Sequence, residues 1–311
     1  MPKVNPRLYL YGALAVGMCL SVVYFFLRPP EERGAGDFWW ALLMTRQILD
    51  GIDPYDFTPT NMLVPYPLTI IALGLPLFWL PDVLAASLYM GIVTGALTYC
   101  ILKYDTPWRL LLLASFPFWF ALEFAQWSII ISLSWYLSII NPLLVSIKPH
   151  IALPVFLAKP NWQGIGVAAV IGIITLFIYP TWPLVWLGMT REFEYIIPVT
   201  IFPFGPLLLL VLLDWKNPTA RMFAGMSVLP FRGVYDLLLL WMIPQRPTHI
   251  ILLTVLSWVP AAISFDIGRM IRPTWVVPVL FLPSVGMLLL ASYQKYKMAK
   301  QQSITFIVAD K

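Results

Sequence analysis

Asp37 is the carboxylate whose place in the sequence best fits a chemical role. It lies in Gly36-Asp37-Phe38, at the start of an apolar run, and six of the fifteen acidic residues of the chain fall between Pro29 and Pro67. A carboxylate that faces an aqueous cavity can act as a general base and take a proton from an acceptor hydroxyl. The alternative is structural, because aspartate directly before a helix commonly caps its first amides. The two roles are compatible.

Lys148 and His150 are the strongest basic candidates. They form Lys148-Pro149-His150 at the end of one apolar run, and a further apolar run follows them. A lysine and a histidine at such a break could bind a phosphate group, with the lysine as a point charge. The alternative is a lysine that snorkels to the membrane surface beside a proline kink.

Two further polar groups interrupt apolar segments. Arg232, Tyr235 and Asp236 lie in one short break, and Glu123 and Gln126 lie one helical turn apart among aromatic residues. The first group suggests a loop that dips into a cavity, unless Arg232 and Asp236 pair only with each other and cap the next helix. The second group could line the same cavity or stand at the boundary with water.

The composition indicates that these groups belong to a membrane protein. The 311 residues are 60% hydrophobic and only 11% charged, whereas soluble domains average about 25% charged residues. Successive apolar runs approach the length of about 20 residues that a transmembrane helix needs. We predict an all-α polytopic membrane protein with about 10–12 transmembrane helices, one domain over residues 1–294 and a short cytoplasmic tail over residues 295–311. No metal-ligand cluster is visible in the sequence, and the net charge of +5 does not indicate nucleic acid.

The basic residues predict how the chain is oriented. Lys3 and Arg7 precede the first apolar run without a nearby acid, so the N-terminus is expected to be cytoplasmic and the Pro29–Pro67 segment extracytoplasmic. Within that segment, the residues from Phe38 predict a juxtamembrane amphipathic helix that lies in the interface, apolar side towards lipid, and ends at Gly51. The acidic segment would therefore act at the extracytoplasmic face.

Six motifs carry a resemblance to a known family. They are Gly36-Asp37-Phe38, Gly51-Ile52-Asp53-Pro54-Tyr55, Tyr66-Pro67-Leu68, Ala125-Gln126-Trp127, Lys148-Pro149-His150 and Tyr235-Asp236-Leu237. In this order they are similar to motifs of the polyprenol-phosphate-sugar-dependent glycosyltransferases of the GT-C superfamily. The closest likeness is to glycosyltransferase family 87, which holds bacterial mannosyl- and arabinofuranosyltransferases. Where that family has Gly-Gln-Asn, this chain has Ala125-Gln126-Trp127.

The resemblance implies a GT-C-like fold and a membrane glycosyltransferase. Such an enzyme would move a mannose- or pentose-like sugar, with inversion, from a polyprenyl-phosphate donor to an extracytoplasmic hydroxyl of a glycolipid, glycan or protein. It would need no cofactor and no nucleic-acid partner, and it would be a multi-pass protein of the cytoplasmic (plasma) membrane. Asp37 would be the general base, and Lys148, His150 and Arg232 would bind the lipid phosphate. The residues expected to line the cavity are Tyr55, Tyr66, Glu123, Gln126, Tyr235 and Asp236.

Two other classes of function remain open. A non-catalytic GT-C-like subunit of a larger membrane assembly would fit the altered motifs, and a cavity filled by Trp127 or an Asp37 bound to Arg232 would favour it. A lipid or solute transporter would fit helices broken at Pro142 and Pro149. A transporter, however, predicts charges near the membrane centre, whereas the acidic residues of this chain gather at one face.

Overall fold

Most of the part of the chain that the structure describes is helical. The computed structural model describes residues 6–27, 34–56, 66–191, 195–263 and 273–309, and within these ranges it contains no β-strand. One isolated antiparallel bridge joins Ile196 and Phe231. The α-helices are α1 (Pro6–Leu27), α2 (Phe38–Leu49), α3 (Ile71–Gly74), α4 (Asp82–Tyr104), α5 (Phe116–Glu123), α6 (Ser128–Ser134), α7 (Asn141–Ile147), α8 (Pro149–Ala158), α9 (Trp162–Ile178), α10 (Trp182–Thr190), α11 (Pro218–Val228), α12 (Pro247–Ile263), α13 (Pro273–Val276) and α14 (Leu282–Ala309). The 3₁₀-helices are Leu68–Ile70, Pro107–Ala114, Ser138–Ile140, Pro198–Thr200, Gly205–Asp214 and Val234–Met242, and Val277–Phe281 is a π-helix.

Among the described residues, three helices are long and apolar enough to cross a membrane. They cover Pro6–Phe26, Asp82–Tyr104 and Val277–Met298, and the bent pairs α5–α6 and α9–α10 raise the number to five if each pair is one span. These helices agree with the predicted all-α membrane protein. The predicted number of about 10–12 spans is too high for the described part of the chain. The division into residues 1–294 and a tail from residue 295 stays a prediction, and α14 runs through that position as one helix.

Proline explains why one of the predicted apolar runs does not form a spanning α-helix. The apolar run from Ile196 to Leu213 contains Pro198, Pro203 and Pro206, and each proline removes a backbone donor from an α-helix. This run forms 3₁₀-helices instead, the longest being the 10 residues Gly205–Asp214. At about 2.0 Å per residue such a helix is about 20 Å long, which is short of the roughly 30 Å hydrocarbon core. Hydropathy alone overcounts spans in such a sequence.

Helices α1 and α4 pack antiparallel along a seam of small residues. A Cβ added to Gly17 would lie 2.6 Å from the carbonyl oxygen of Gly91, and one added to Gly95 would lie 3.1 Å from that of Ala13. Small residues at such positions allow close approach of transmembrane helices. The antiparallel arrangement places the end of α1 and the start of α4 together, so α2 and the segment before it lie at one end of this pair.

Helix α2 ends as predicted but buries its apolar side within the protein. Gly51, with φ +70°, donates its N–H to the carbonyl of Ile48 at 3.1 Å, and Ile52 donates to Gln47 at 2.8 Å, which is the Schellman termination. The apolar side contacts α3 and α4, and Phe38 has no exposed surface. The prediction that the apolar side of α2 faces lipid is therefore wrong, because the apolar residues on that side form part of the protein core.

Arg46, on the same helix, braces α2 against the loop before α4. Its guanidinium donates to the carbonyls of Phe78 and Leu80, both at 2.8 Å, and pairs with Asp82 at 2.6 Å. The brace fixes α2, and with it the Gly36-Asp37 turn from which the helix starts.

Candidate functional site

The site is built around the elbow between α5 and α6, residues Phe124–Trp127, where the chain turns by 120°. Ala125 adopts the left-handed conformation with φ +46°, which is uncommon for a residue with a Cβ. The carbonyl of Phe124 accepts the N–H of Asp37 at 2.8 Å. Gly36, with φ +53°, touches the same carbonyl so closely that an added Cβ would lie 2.4 Å from its oxygen. The Gly36-Asp37 turn is thus docked onto the elbow.

The Asp37 carboxylate binds a tyrosine and does not cap the helix that follows it. Asp37 stands at the N-cap position of α2 but has helical backbone angles, φ −69° and ψ −20°, whereas capping residues are typically extended. Every residue of α2 is described, and none of its amides donates to this carboxylate. The hydroxyl of Tyr66 donates to Asp37 Oδ2 instead. The structural alternative of a side-chain cap is therefore not what is observed.

Tyr66 is held on several sides. Its side chain is 3% exposed, its ring meets Trp127 edge to face with centroids 5.8 Å apart, and its carbonyl accepts from the Tyr55 hydroxyl at 3.2 Å. Burial, with the negative charge of Asp37 adding to it, raises the pKa of Tyr66 well above its ordinary value. The phenol therefore stays protonated at physiological pH and serves as a donor.

Lys148 lies at the junction of α7 and α8, where its ammonium group is buried among polar partners. Its Nζ donates to Asp236 Oδ1 at 2.9 Å and to Gln126 Oε1 at 3.2 Å, and it lies 4.9 Å from the ring centroid of Tyr235. The side chains of Lys148 and Asp236 are 4% and 1% exposed. The snorkelling alternative is therefore not what is observed. Asp236 forms a salt bridge with Lys148, and its Oδ2 also accepts the main-chain N–H of Arg232 at 3.1 Å.

His150, two residues after Lys148, is a neutral imidazole near neutral pH. Its Nε2 lies 3.9 Å from Asp236 Oδ2. The pKa of His150 is lowered from 6.5 to about 4, mainly by burial. The negative charge of Asp236 opposes this shift, and the positive charges of Lys148 and Arg232 add to it. Near neutral pH His150 can donate or accept a hydrogen bond, but it brings no positive charge to the site.

These residues enclose a small cavity. It has a volume of about 30 Å³ and is lined by Tyr66, Lys148, His150, Arg232 and Tyr235 together with Ile147, Pro149, Trp186, Thr190 and Tyr195. This volume is about the share of one water molecule in the liquid. The three basic residues predicted to bind phosphate thus meet beside the tyrosine that holds Asp37.

Three of the other residues predicted to line the cavity lie behind the side chains that line it. Gln126 and Asp236 are buried on the far side of Lys148, and Tyr55 supports the main chain of Tyr66. Within the described part of the chain, Glu123 stands exposed at the end of α5, outside this cavity. Trp186 and Tyr195 were not among the predicted residues, because aromatic residues are frequent throughout this chain and neither lies in a polar motif.

The 3₁₀-helix that carries Tyr235 and Asp236 is anchored at its far end by a second buried polar group. Arg109 donates to the carbonyls of Trp241 at 2.7 Å and Pro244 at 3.0 Å. Its Nε lies 2.7 Å from Asp105 Oδ2, which also accepts from Tyr136 at 2.8 Å. This group holds the segment behind the site in place.

Comparison with known proteins does not assign a family. No family model, no curated protein and no solved structure matches the chain. Among the described residues, no group of three or more His, Cys, Asp or Glu side chains could hold a metal ion. The resemblance to glycosyltransferase family 87 therefore stays a prediction that rests on the motifs.

Proposed function

We propose that this chain is a membrane glycosyltransferase that moves a sugar from a polyprenyl-phosphate donor to an acceptor hydroxyl on the extracytoplasmic side. The observation that carries the proposal is the convergence of distant segments on one cavity. Tyr66 joins the Asp37 carboxylate to a cavity whose wall also holds Lys148, His150 and Arg232. A carboxylate beside side chains that can bind a phosphate is what an inverting transfer from a lipid phosphate requires.

In the proposed reaction Asp37 accepts the proton of the acceptor hydroxyl as that oxygen bonds to the anomeric carbon. The bond from this carbon to the phosphate oxygen breaks, and the lipid phosphate leaves with the electron pair. Donors placed where negative charge develops stabilise such a transition state. Lys148 has three N–H donors, of which Asp236 and Gln126 take two. The third N–H, the Arg232 guanidinium and the neutral His150 ring would receive the phosphate.

The cavity must enlarge before it can receive a donor phosphate. Its volume of about 30 Å³ holds about one water molecule. The wall formed by Trp186 and Thr190 belongs to α10, of which no residue is buried. Since α10 has few buried contacts, it is the element whose displacement would open the site at least cost.

The proposal is tested by Asp37→Asn, with Asp50→Asn as a matched control. Asp50 is an exposed carboxylate at the other end of α2. Purified protein in lipid nanodiscs would be given radiolabelled polyprenyl-phosphate mannose or arabinofuranose with a short alkyl-glycoside acceptor. General-base loss predicts a decrease in kcat of at least about 100-fold for Asp37→Asn and little change for Asp50→Asn. Undiminished turnover in Asp37→Asn would remove Asp37 from the mechanism, and an inactive wild type with both donors would count against glycosyl transfer itself.

One observation favours a second candidate, the non-catalytic membrane subunit. Trp127 is fully buried against Phe38, Tyr66 and Tyr89, with ring centroids 5.5 to 5.8 Å apart, so it packs against the tyrosine that binds Asp37. Native mass spectrometry with added undecaprenyl phosphate separates the two candidates. Binding of undecaprenyl phosphate that weakens in Lys148→Met would support the enzyme. A protein that shows no bound undecaprenyl phosphate after release from the detergent would support the subunit.

A further inference from the structure

We propose that Tyr66 is a positioning residue that orients the Asp37 carboxylate for proton abstraction, an inference that rests on the function proposed above. Its hydroxyl donates to Asp37 Oδ2. Among the described residues, no other side chain donates a hydrogen bond to this carboxylate. Its second oxygen, Oδ1, therefore remains available to an acceptor hydroxyl. Without this bond, the partly buried carboxylate could exchange between staggered rotamers.

The surroundings of Tyr66 suit it to this task. Its ring is fixed by Trp127, and its main chain is fixed by Tyr55 and by the rigid Pro67 that follows. The same ring lines the cavity that holds Lys148 and His150. Tyr66 therefore stands between the base and the phosphate-binding side chains, and it sets where the carboxylate lies relative to them. Displacement of a reacting group by about 1 Å can cost about 100-fold in rate.

The alternative role is purely structural, because a buried tyrosine hydroxyl usually finds a hydrogen-bond partner. Under that alternative, removing the hydroxyl would change stability but not turnover. Tyr89 supplies the matched control. It packs on the same Trp127, with centroids 5.5 Å apart, it stacks on Phe38 at 4.3 Å, and its buried hydroxyl has no hydrogen-bond partner among the described residues.

The experiment compares Tyr66→Phe, Tyr89→Phe, Asp37→Asn and the double variant Asp37→Asn/Tyr66→Phe in the transfer assay. We expect Tyr66→Phe to lower kcat by about 10- to 100-fold with KM for the donor nearly unchanged, and Tyr89→Phe to leave both constants nearly unchanged. The double variant is expected to match Asp37→Asn alone, since coupled residues do not add.

The outcomes separate this inference from the proposed function. Normal kcat in Tyr66→Phe, together with an inactive Asp37→Asn, would overturn the role of Tyr66 and leave glycosyl transfer standing. An inactive wild type would overturn both. If Tyr66→Phe does not fold, incorporation of 3-fluorotyrosine at position 66 keeps the ring and its hydroxyl and changes the strength of the hydrogen bond to Asp37. A kcat and pH profile that do not change with it would equally overturn the role of Tyr66.

Discussion

Replacing Gly36 by alanine tests whether the turn that carries Asp37 is held by close contact with the elbow. Gly36 and Gly51 both adopt left-handed backbone angles, φ +53° and +70°, at opposite ends of α2. A Cβ added to Gly36 would lie 2.4 Å from the Phe124 carbonyl oxygen and 2.6 Å from its carbon. Among the described residues, nothing lies within 4 Å of a Cβ added to Gly51. A comparison of Gly36→Ala with Gly51→Ala therefore separates the effect of the close contact with Phe124 from the effect of the left-handed backbone angle.

The expected cost follows from these distances. A left-handed L-residue costs about 1–2 kcal/mol, and the stiffer unfolded chain returns about 0.4–1 kcal/mol, so Gly51→Ala should destabilise the protein by about 1 kcal/mol. Gly36→Ala carries the same term. Relieving its overlap adds about 1–3 kcal/mol, and loss of the hydrogen bond from Asp37 N–H to Phe124 adds about 1 kcal/mol. The total for Gly36→Ala is about 3–5 kcal/mol.

The assay is thermal unfolding in a mild detergent, followed by tryptophan fluorescence. At roughly 2 °C per kcal/mol for a chain of this size, Gly51→Ala should lower Tm by about 2 °C and Gly36→Ala by about 6–10 °C. Transfer activity should fall in Gly36→Ala, because Asp37 moves with the turn. Equal shifts in Tm for the two variants would refute the reasoning, since they would show that Gly36 is needed only for its backbone angle.

Two further predictions concern the buried ionisable side chains. Lys148→Met should destabilise the protein by about 3–5 kcal/mol, because it leaves Asp236 buried without its cation, whereas Lys148→Met/Asp236→Asn should recover much of that loss. Denaturant unfolding of the single and double variants measures this coupling, and additive losses would contradict it. His150 has a pKa of about 4 in the folded protein against 6.5 ordinarily. Between pH 6.5 and pH 4 the unfolded chain therefore binds more protons than the folded protein. The free energy of unfolding should fall by about 3 kcal/mol as the pH is lowered through this range. His150→Gln should remove that part of the pH dependence in unfolding measured from pH 7 to 4, whereas replacement of the partly exposed His249 by glutamine should leave it; equal pH profiles for wild type and His150→Gln would contradict the prediction.

Local signals in the sequence predicted part of this structure well. The run from Phe38 and the glycine at position 51 gave the bounds of α2, because a left-handed glycine after an apolar run is a strong helix terminator. The polar motifs around Asp37, Lys148 and Arg232 also came from local contrast with apolar surroundings. The number of membrane spans was not predicted as well. Hydropathy does not take account of the prolines in the run from Ile196, which forms short 3₁₀-helices.

The contacts that make the site lay beyond such signals. Lys148 and Asp236 are 88 positions apart, and no local pattern indicates that one neutralises the other. The capping role of Asp37 looked equally natural from its position, and only its helical backbone angles and the hydroxyl of Tyr66 decide against it. These are consequences of tertiary packing, which propensity and periodicity do not encode.

The elbow has a consequence for how the site could move. Phe124 accepts the amide N–H of Asp37 and Gln126 accepts an N–H of the Lys148 ammonium group, so two residues of one short segment hold both halves of the proposed site. A rotation of α5 and α6 about their junction would carry the carboxylate and the ammonium group together. If the cavity opens by displacement of α10, as proposed above, the distance between Asp37 and Lys148 should stay unchanged, and a ligand would have to fit that fixed distance.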